Sequence, residues 1–301
     1  MKTWLKITLI AVAAVLIVGV VALFLAMRPQ GVAMVTYPMG ERDLATELPS
    51  DYGMVYEEVT VTTADGLKLV GWFVPSQNGA TIIAQHGYHG NRGNMLYDAE
   101  LLNRHGYGVL MSTFRAHDLS QGEIITFGEK EMLDMEAWYQ YLLIRDDVDP
   151  DRIGILGESM GGLVSIHYTA QNPQIRALAV HSALASMEDS IAKGVTHFTG
   201  LPPFPFAPMI VFWSERTADI RVKEMDSTQW IGQISPRPVF IMMGGADDHI
   251  SIDSGQKLYD AAGEPKELWF EPAAGHHGLP EVAPEEYERR VVGFFDRYLL
   301  E

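Results

Sequence analysis

The sequence predicts an α/β protein: a mostly parallel sheet covered by helices on both faces, with one membrane-spanning helix at its N-terminus and a small cap inserted late in the chain. Three observations predict it. Short runs rich in Val, Ile and Leu recur from residue 80 to residue 270, most of them separated by segments of helical length. Residues 7–27 (ITLIAVAAVLIVGVVALFLAM) carry no charge. One connection, 183–235, is too long for a simple strand-to-strand crossover.

In chain order, residues 1–6 form a short tail holding Lys2 and Lys6, and residues 7–27 follow as a helix about 30 Å long, enough to cross a bilayer. A cleaved signal has a shorter apolar core and a small-x-small site after it, whereas this run continues to Met27 and meets Arg28-Pro29, so it reads as an uncleaved anchor. The two lysines on the short side place the N-terminus in the cytoplasm and predict a single-pass protein of the cell membrane with its main domain extracytoplasmic.

Residues 28–52 have no sustained period and read as a linker packing loosely on the domain at 53–301. That domain opens with VYEEVTVTT and LKLVGWFVP flanking ADG, a hairpin signal. The strands that follow are expected at 80–85, 108–113, 152–156, 177–182, 238–243 and 266–270. Between them, 129–144 puts Leu133, Ala137, Tyr141 and Ile144 on one helical stripe, and a last helix opened by Pro284 and Glu285 buries Tyr287, Val291, Phe294 and Tyr298.

Composition narrows the function. At 47% hydrophobic and 20% charged, the chain can fill a sizeable core and is not disordered. Setting aside Lys2, Lys6 and Arg28, the remainder holds 19 basic against 39 acidic residues, a net charge of −20. Such a surface repels nucleic acid and anionic headgroups, so the domain is expected to stand off the membrane. There is no cysteine, hence no disulfide, no thiolate nucleophile and no cysteine-based zinc site.

The chemistry starts at GILGESMGG. Gly157-Glu158-Ser159-Met160-Gly161 matches G-x-S-x-G, and it follows an expected strand and opens an expected helix. A sharp strand-to-helix turn leaves no room for side chains two residues either side of the serine, which is what Gly157 and Gly161 supply. A serine hydroxyl needs an imidazole base oriented by a carboxylate. Asp247 and Asp248 follow one strand and His276 and His277 the next, so acid and base should emerge side by side; the spacing from Gly244 favours Asp247 over Asp248. Upstream, His86-Gly87-Tyr88 closes another strand, and the backbone N–H groups of Tyr88 and Met160 are candidate oxyanion donors.

Taken in order, HGYHGN, STFRAHDLSQG, GESMGG, GGADDHI and AGHHG resemble the α/β-hydrolase superfamily over roughly residues 53–301. The resemblance is closest to the membrane-associated Bem46-like group and the esterase, lipase and aminopeptidase-like set that shares its HG-x-x-G-N loop. It implies Ser159 as nucleophile, Asp247 as acid and His276, directly after Gly275, as base, with His277 as the alternative. It also implies a lipid-like or small-molecule ester substrate, and no metal or organic cofactor. The segment Arg115-Ala116-His117-Asp118-Leu119-Ser120 departs from the usual R-G-x-G-x-S of the family by two glycines, which weakens inference about the pocket rim.

The remaining features have bland readings beside sharper ones. His86, His89, His117 and His249 have no metal-ligand spacing and are expected to brace loop backbone. Glu158 reads as a solvated or loop-bracing carboxylate. Phe198, Phe204, Phe206, Phe212 and Trp213 read either as the cap's own core or as a lid and acyl pocket over Ser159, and the latter makes Phe204, Phe206, Phe212 and Trp213 substrate-binding candidates. Amide or peptide cleavage by the same residues, and a silent hydrolase fold serving as a tethered binding domain, are the alternatives to ester cleavage.

Overall fold

A computed structural model describes residues 3–301; Met1, Lys2 and the side chain of Phe198 lie outside the described residues. The hairpin arms and the six later apolar runs all become strands: β1 (Glu57–Thr62), β2 (Lys68–Val74), β3 (Thr81–Gln85), β4 (Gly108–Ser112), β5 (Ile153–Glu158), β6 (Ala177–His181), β7 (Val239–Gly244) and β8 (Lys266–Glu271). They form one sheet in the order β1-β2-β4-β3-β5-β6-β7-β8. The pairs β1–β2 and β2–β4 are antiparallel and the rest are parallel. Strands β3 to β7 are buried along their whole length, as continuous apolar runs require when both faces are covered.

The helices are α1 (Thr3–Ala26), α2 (Arg28–Val35), α3 (Leu96–Arg104), α4 (Glu131–Leu143), α5 (Met160–Gln171), α6 (Met187–Thr199), α7 (Pro203–Ala218), α8 (Ser254–Ala261), α9 (Leu279–Val282) and α10 (Pro284–Phe295). Alternation along the strands divides the core in two. Ile83 and Ile155 face a cluster with Trp138 of α4 and Leu163 of α5, while Ile82 and Leu156 face another with Leu102 of α3 and Phe294 of α10. Helices α6 and α7 form the cap between β6 and β7.

Two segments differ from expectation. Helix α4 buries Asp134, Met135, Trp138, Tyr139 and Leu142, whereas Ile144, on the expected stripe, is exposed. The cause is a carboxylate that hydrophobic patterning cannot count. Asp134 is turned inward to meet the buried Arg115 guanidinium at 2.6 Å, and Trp138 beside it donates its indole N–H to the Thr113 carbonyl at 3.0 Å. The same Arg115 reaches Asp65 at 2.8 Å, so one guanidinium fork ties the sheet's entry turn to α4.

The second difference lies in residues 28–52, whose first eight residues are helical and packed rather than loose. Met27 N–H donates to Leu23 O and Gly31 N–H to Met27 O, both at 3.2 Å, so α2 carries on from α1 across Met27. Residues Thr3–Val35 make a helix long and apolar enough to cross a membrane, and no α1 side chain is buried. Helix α2 lies on α7: a Cβ on Gly31 would stand 2.5 Å from Trp213 Cβ, and Ser214 Oγ donates to Gly31 O at 2.9 Å. Trp213 Nε1–H donates to Phe24 O at 2.9 Å. A glycine that lets two backbones close is a weak sequence signal, which is why the contact was not legible.

Asp134→Ala should lower the unfolding free energy by about 3–5 kcal/mol, because it strands a buried guanidinium. Urea denaturation checks this, and a loss under 1 kcal/mol would mean that Asp65 alone satisfies Arg115.

Candidate active site

The carboxyl ends of the parallel strands share one edge of the sheet, where open α/β folds hold their ligands. Ser159 stands at the centre of that edge, after β5, with φ 52° and ψ −117°. A non-glycine residue here costs of order 1–3 kcal/mol and persists only when its surroundings hold it. They do so by close backbone approach. A Cβ on Gly161 would lie 2.5 Å from Gln85 O of β3, and one on Gly157 would lie 2.7 Å from Gly161 O. Ser159 N–H donates to His181 O at 2.9 Å, and the serine is nearly buried.

Three strand spacings separate β5 from β8, roughly 14 Å at ~4.8 Å each. The loop after β8 must therefore come back across β7 to meet the serine. Gly244, at the end of β7, lets it pass, since a Cβ there would strike the carbonyls of Ala274 and Gly275. Ala246 N–H donates to Ala274 O at 2.9 Å and pins the crossing.

At the crossing, His276 Nδ1 lies 2.8 Å from Asp247 Oδ2. The other carboxylate oxygen, Oδ1, accepts from His249 N–H at 2.9 Å and Ile250 N–H at 2.8 Å. Burial pushes the Asp247 carboxyl up, but the His276 hydrogen bond and charge, with those two backbone donors, outweigh it and hold the pKa below its ordinary value. Asp248 points outward, 3.7 Å from His249 and 4.0 Å from His197. His277 stacks on His276 with ring centroids 4.0 Å apart and has Glu158, not Asp247, as its nearest carboxylate, at 3.7 Å. Of the alternatives left by the sequence, Asp247 and His276 are the pair in contact.

A cavity of about 570 Å3 opens over this edge. Ser159, His276, His277, Gly87, Tyr88 and Met160 all line it, so the strand-end loop after β3 and the start of α5 border the serine. Gly87 keeps that approach open, a Cβ there meeting Ser159 Cβ at 3.3 Å. Tyr88 itself donates its hydroxyl to Met34 O at 2.8 Å and stacks on His89. The other histidines brace loops: His86 Nδ1 faces Gly87 O at 2.7 Å, and His117 Nδ1 faces Arg115 O at 2.8 Å. Burial lowers His86 to about 4, so it is neutral.

The four aromatic substrate-binding candidates are not in this wall. Phe204 is 78% exposed, Phe206 packs into the cap's core, and Phe212 and Trp213 lie against Phe24, at 5.0 and 5.1 Å between ring centroids. Helix α7 turns Ile210 inward instead, and the apolar wall is completed by Phe127, Met187, Ile191 and Val195. The residues missed are Gln30 and Met34 of α2, which line the same cavity. Among the described residues, His197, Asp248 and His249 at the rim have ligand atoms within 4.8 Å of one another and could hold a cation.

Behind the serine lies a buried polar cluster. Glu158 is the last residue of β5 and shares the face of Leu156 two residues earlier, a period-2 signal that places it inside rather than in solvent. Its carboxylate is 3.8 Å from His181 Nδ1 and 3.7 Å from His277 Nδ1. Burial first, and then the charge of Asp98, push the Glu158 pKa well up; burial first, and then His276, pull His181 down to about 3 and His277 well below its ordinary value. Burial thus favours the neutral form of all three. Both His181 ring nitrogens and His277 Nε2 are buried without a partner.

A profile of the prolyl oligopeptidase family matches residues 112–301. The chain belongs to that family. It is 30% identical over 240 residues to an uncharacterized protein of Mycobacterium tuberculosis, covering 78% of this chain and 75% of that one. It is 28% identical over 247 residues to the YfhR protein of Escherichia coli K12, covering 79% and 80%. Among solved structures it is similar to an esterase of Pyrococcus furiosus, with a TM-score of 0.75 and 30% identity over 88% of this chain and 98% of the esterase. The fold is therefore the α/β-hydrolase fold, and the protein is of serine-hydrolase type.

Glu158→Gln tests the neutral cluster. The unfolded glutamate ionises near pH 4.3, while the raised folded pKa keeps the proton in the native state, so Glu158 costs stability increasingly as pH rises above that value. The variant's melting temperature, relative to the parent, should rise between pH 5 and pH 8. A difference independent of pH would place the carboxylate charged in the fold.

Proposed function

We propose that the protein is a membrane-anchored serine hydrolase that cleaves carboxylic esters through an acyl-enzyme. The observation that carries this is the 2.8 Å hydrogen bond from His276 to the buried Asp247, at the wall of the cavity that Ser159 also lines. With Nδ1–H donated to Asp247, Nε2 of His276 is left as the acceptor for the Ser159 proton. The serine oxygen attacks the ester carbonyl, and the N–H groups of Tyr88 and Met160 receive the oxyanion. His276 returns the proton to the departing alcohol. A water then gives its proton to His276 and attacks the acyl group, releasing the acid and restoring Ser159. This route uses no metal or organic cofactor.

Ester cleavage is favoured over the aminopeptidase-like alternative by the wall's chemistry. Among the described residues, the cavity lining has apolar side chains, small polar groups and histidines, with no carboxylate to receive a peptide's terminal ammonium and no lysine or arginine. The similarity to an esterase along nearly the whole of that protein supports the same reading. The family's name keeps peptide cleavage as the second reading, and parallel turnover of a p-nitrophenyl ester and the matching anilide separates the two. A catalytically silent scaffold would fail to label at Ser159 with a fluorophosphonate. The uncharged run at residues 7–27, within the helix Thr3–Val35, supports a single-pass anchor, and Lys2 and Lys6 on its short side against Arg28 on the other favour an extracytoplasmic domain.

Ser159→Ala should cut p-nitrophenyl butyrate turnover by at least about 10³-fold with an unchanged melting temperature. Asp247→Asn should cut kcat by about 10³–10⁴-fold. Retained turnover in the first variant removes Ser159 as nucleophile.

A further inference from the structure

We infer that the substrate is an uncharged or zwitterionic membrane lipid ester whose long acyl chain enters the cavity from the bilayer, past α2. This rests on the hydrolase reading above and adds the substrate class and its route.

The span and the cavity wall are one rod. Helix α2 continues α1 through the Met27 hydrogen bonds, and its residues Gln30 and Met34 line the cavity that holds Ser159 and His276. Those residues lie three and seven positions past Met27, or about 5 and 10 Å along a helix axis. The headgroup layer on each side of the hydrocarbon is about 5–8 Å thick. If residues 7–27 fill the hydrocarbon, the α2 wall begins at headgroup depth. Trp213 and Arg28, which stack with 5.6 Å between guanidinium and ring, stand at that level, where tryptophan and arginine favour the interface.

The docking is close. Phe24, still within the apolar run, packs on Phe212 and Trp213, and Gly31 closes on Trp213 and Ile210, so the cap cannot swing away from the span without opening these contacts. Ile210 of the same helix lines the cavity. The cavity wall between α2 and the cap is mostly apolar, with Met34, Met187, Ile191, Val195 and Ile210 in it beside Gln30, Ser190 and Thr199, which suits an acyl chain. The strongly negative domain disfavours anionic lipids near its surface, which leaves neutral headgroups.

The test uses the full chain in phosphatidylcholine vesicles, with p-nitrophenyl butyrate as a water-soluble ester and 4-methylumbelliferyl oleate as a bilayer-held one. A Gly-Ser insertion of about 12 residues between Ala26 and Met27, combined with Phe24→Ala to remove the span-side ring that packs on Phe212 and Trp213, leaves α2 on α7 but loosens both from the span, a flexible linker of that length reaching roughly 20 Å. Oleate turnover should fall at least about tenfold relative to butyrate turnover. A second variant, Met34→Trp, narrows the α2 wall and should lower the same oleate-to-butyrate ratio by a similar factor. An unchanged ratio in both variants overturns the inference, as does a parent that cleaves butyrate but not the vesicle-held oleate. A parent that cleaves neither overturns the hydrolase reading itself, and the lipid route with it.

Discussion

Close backbone approach without side chains is the constraint on which the rest of this molecule depends. The sheet brings the ends of β3, β5, β7 and β8 to one edge, but it also holds them several strand widths apart. Only where Gly157, Gly161, Gly87 and Gly244 remove a Cβ can the elbow tighten, the loop after β3 come up to the serine, and the loop after β8 fold back over β7. The hydrogen bond between Asp247 and His276 follows from that last crossing. The strained φ of Ser159 has the same origin: packing on both sides holds the turn where an isolated peptide would relax.

Beneath this edge the protein keeps ionisable side chains without charge. Glu158 sits within 4 Å of both His181 and His277, yet burial favours the neutral form of each. In the proposed mechanism, a charged carboxylate there would compete with Asp247 for an imidazolium formed at His276. Keeping the cluster neutral leaves Asp247 as the nearest full charge on the base. Arg115 and Asp134 show a different solution, a buried pair joined by several short hydrogen bonds from one planar fork and the Arg115 backbone N–H.

Most of the fold was legible because strand periodicity is local. Every strand between residues 57 and 271 coincides with an expected hairpin arm or apolar run, and the loops that carry Ser159, Asp247 and His276 fall at strand ends. What was not legible depends on contacts distant in sequence. The face that α4 buries is decided by Arg115, sixteen residues upstream of its first residue Glu131, and not by its own apolar stripe. The aromatic residues of α7 look like a pocket lining on composition alone, but Phe24 and Gly31, some 180 residues earlier, claim Phe212 and Trp213 and leave Ile210 for the cavity. Glu158 was readable in principle, since the alternation from Leu156 assigns its face.

The union of α2 with α7 bears on what the hydrolase core is when separated from its first 35 residues. Such a shortened protein would not be the same molecule without its first helix. It would bare Trp213 and the Ser214 side of the cap, and it would be missing one side of the chamber in front of Ser159. On the proposed lipid route, its selectivity for chain length would describe a trough lacking the wall that Gln30 and Met34 supply in the intact protein.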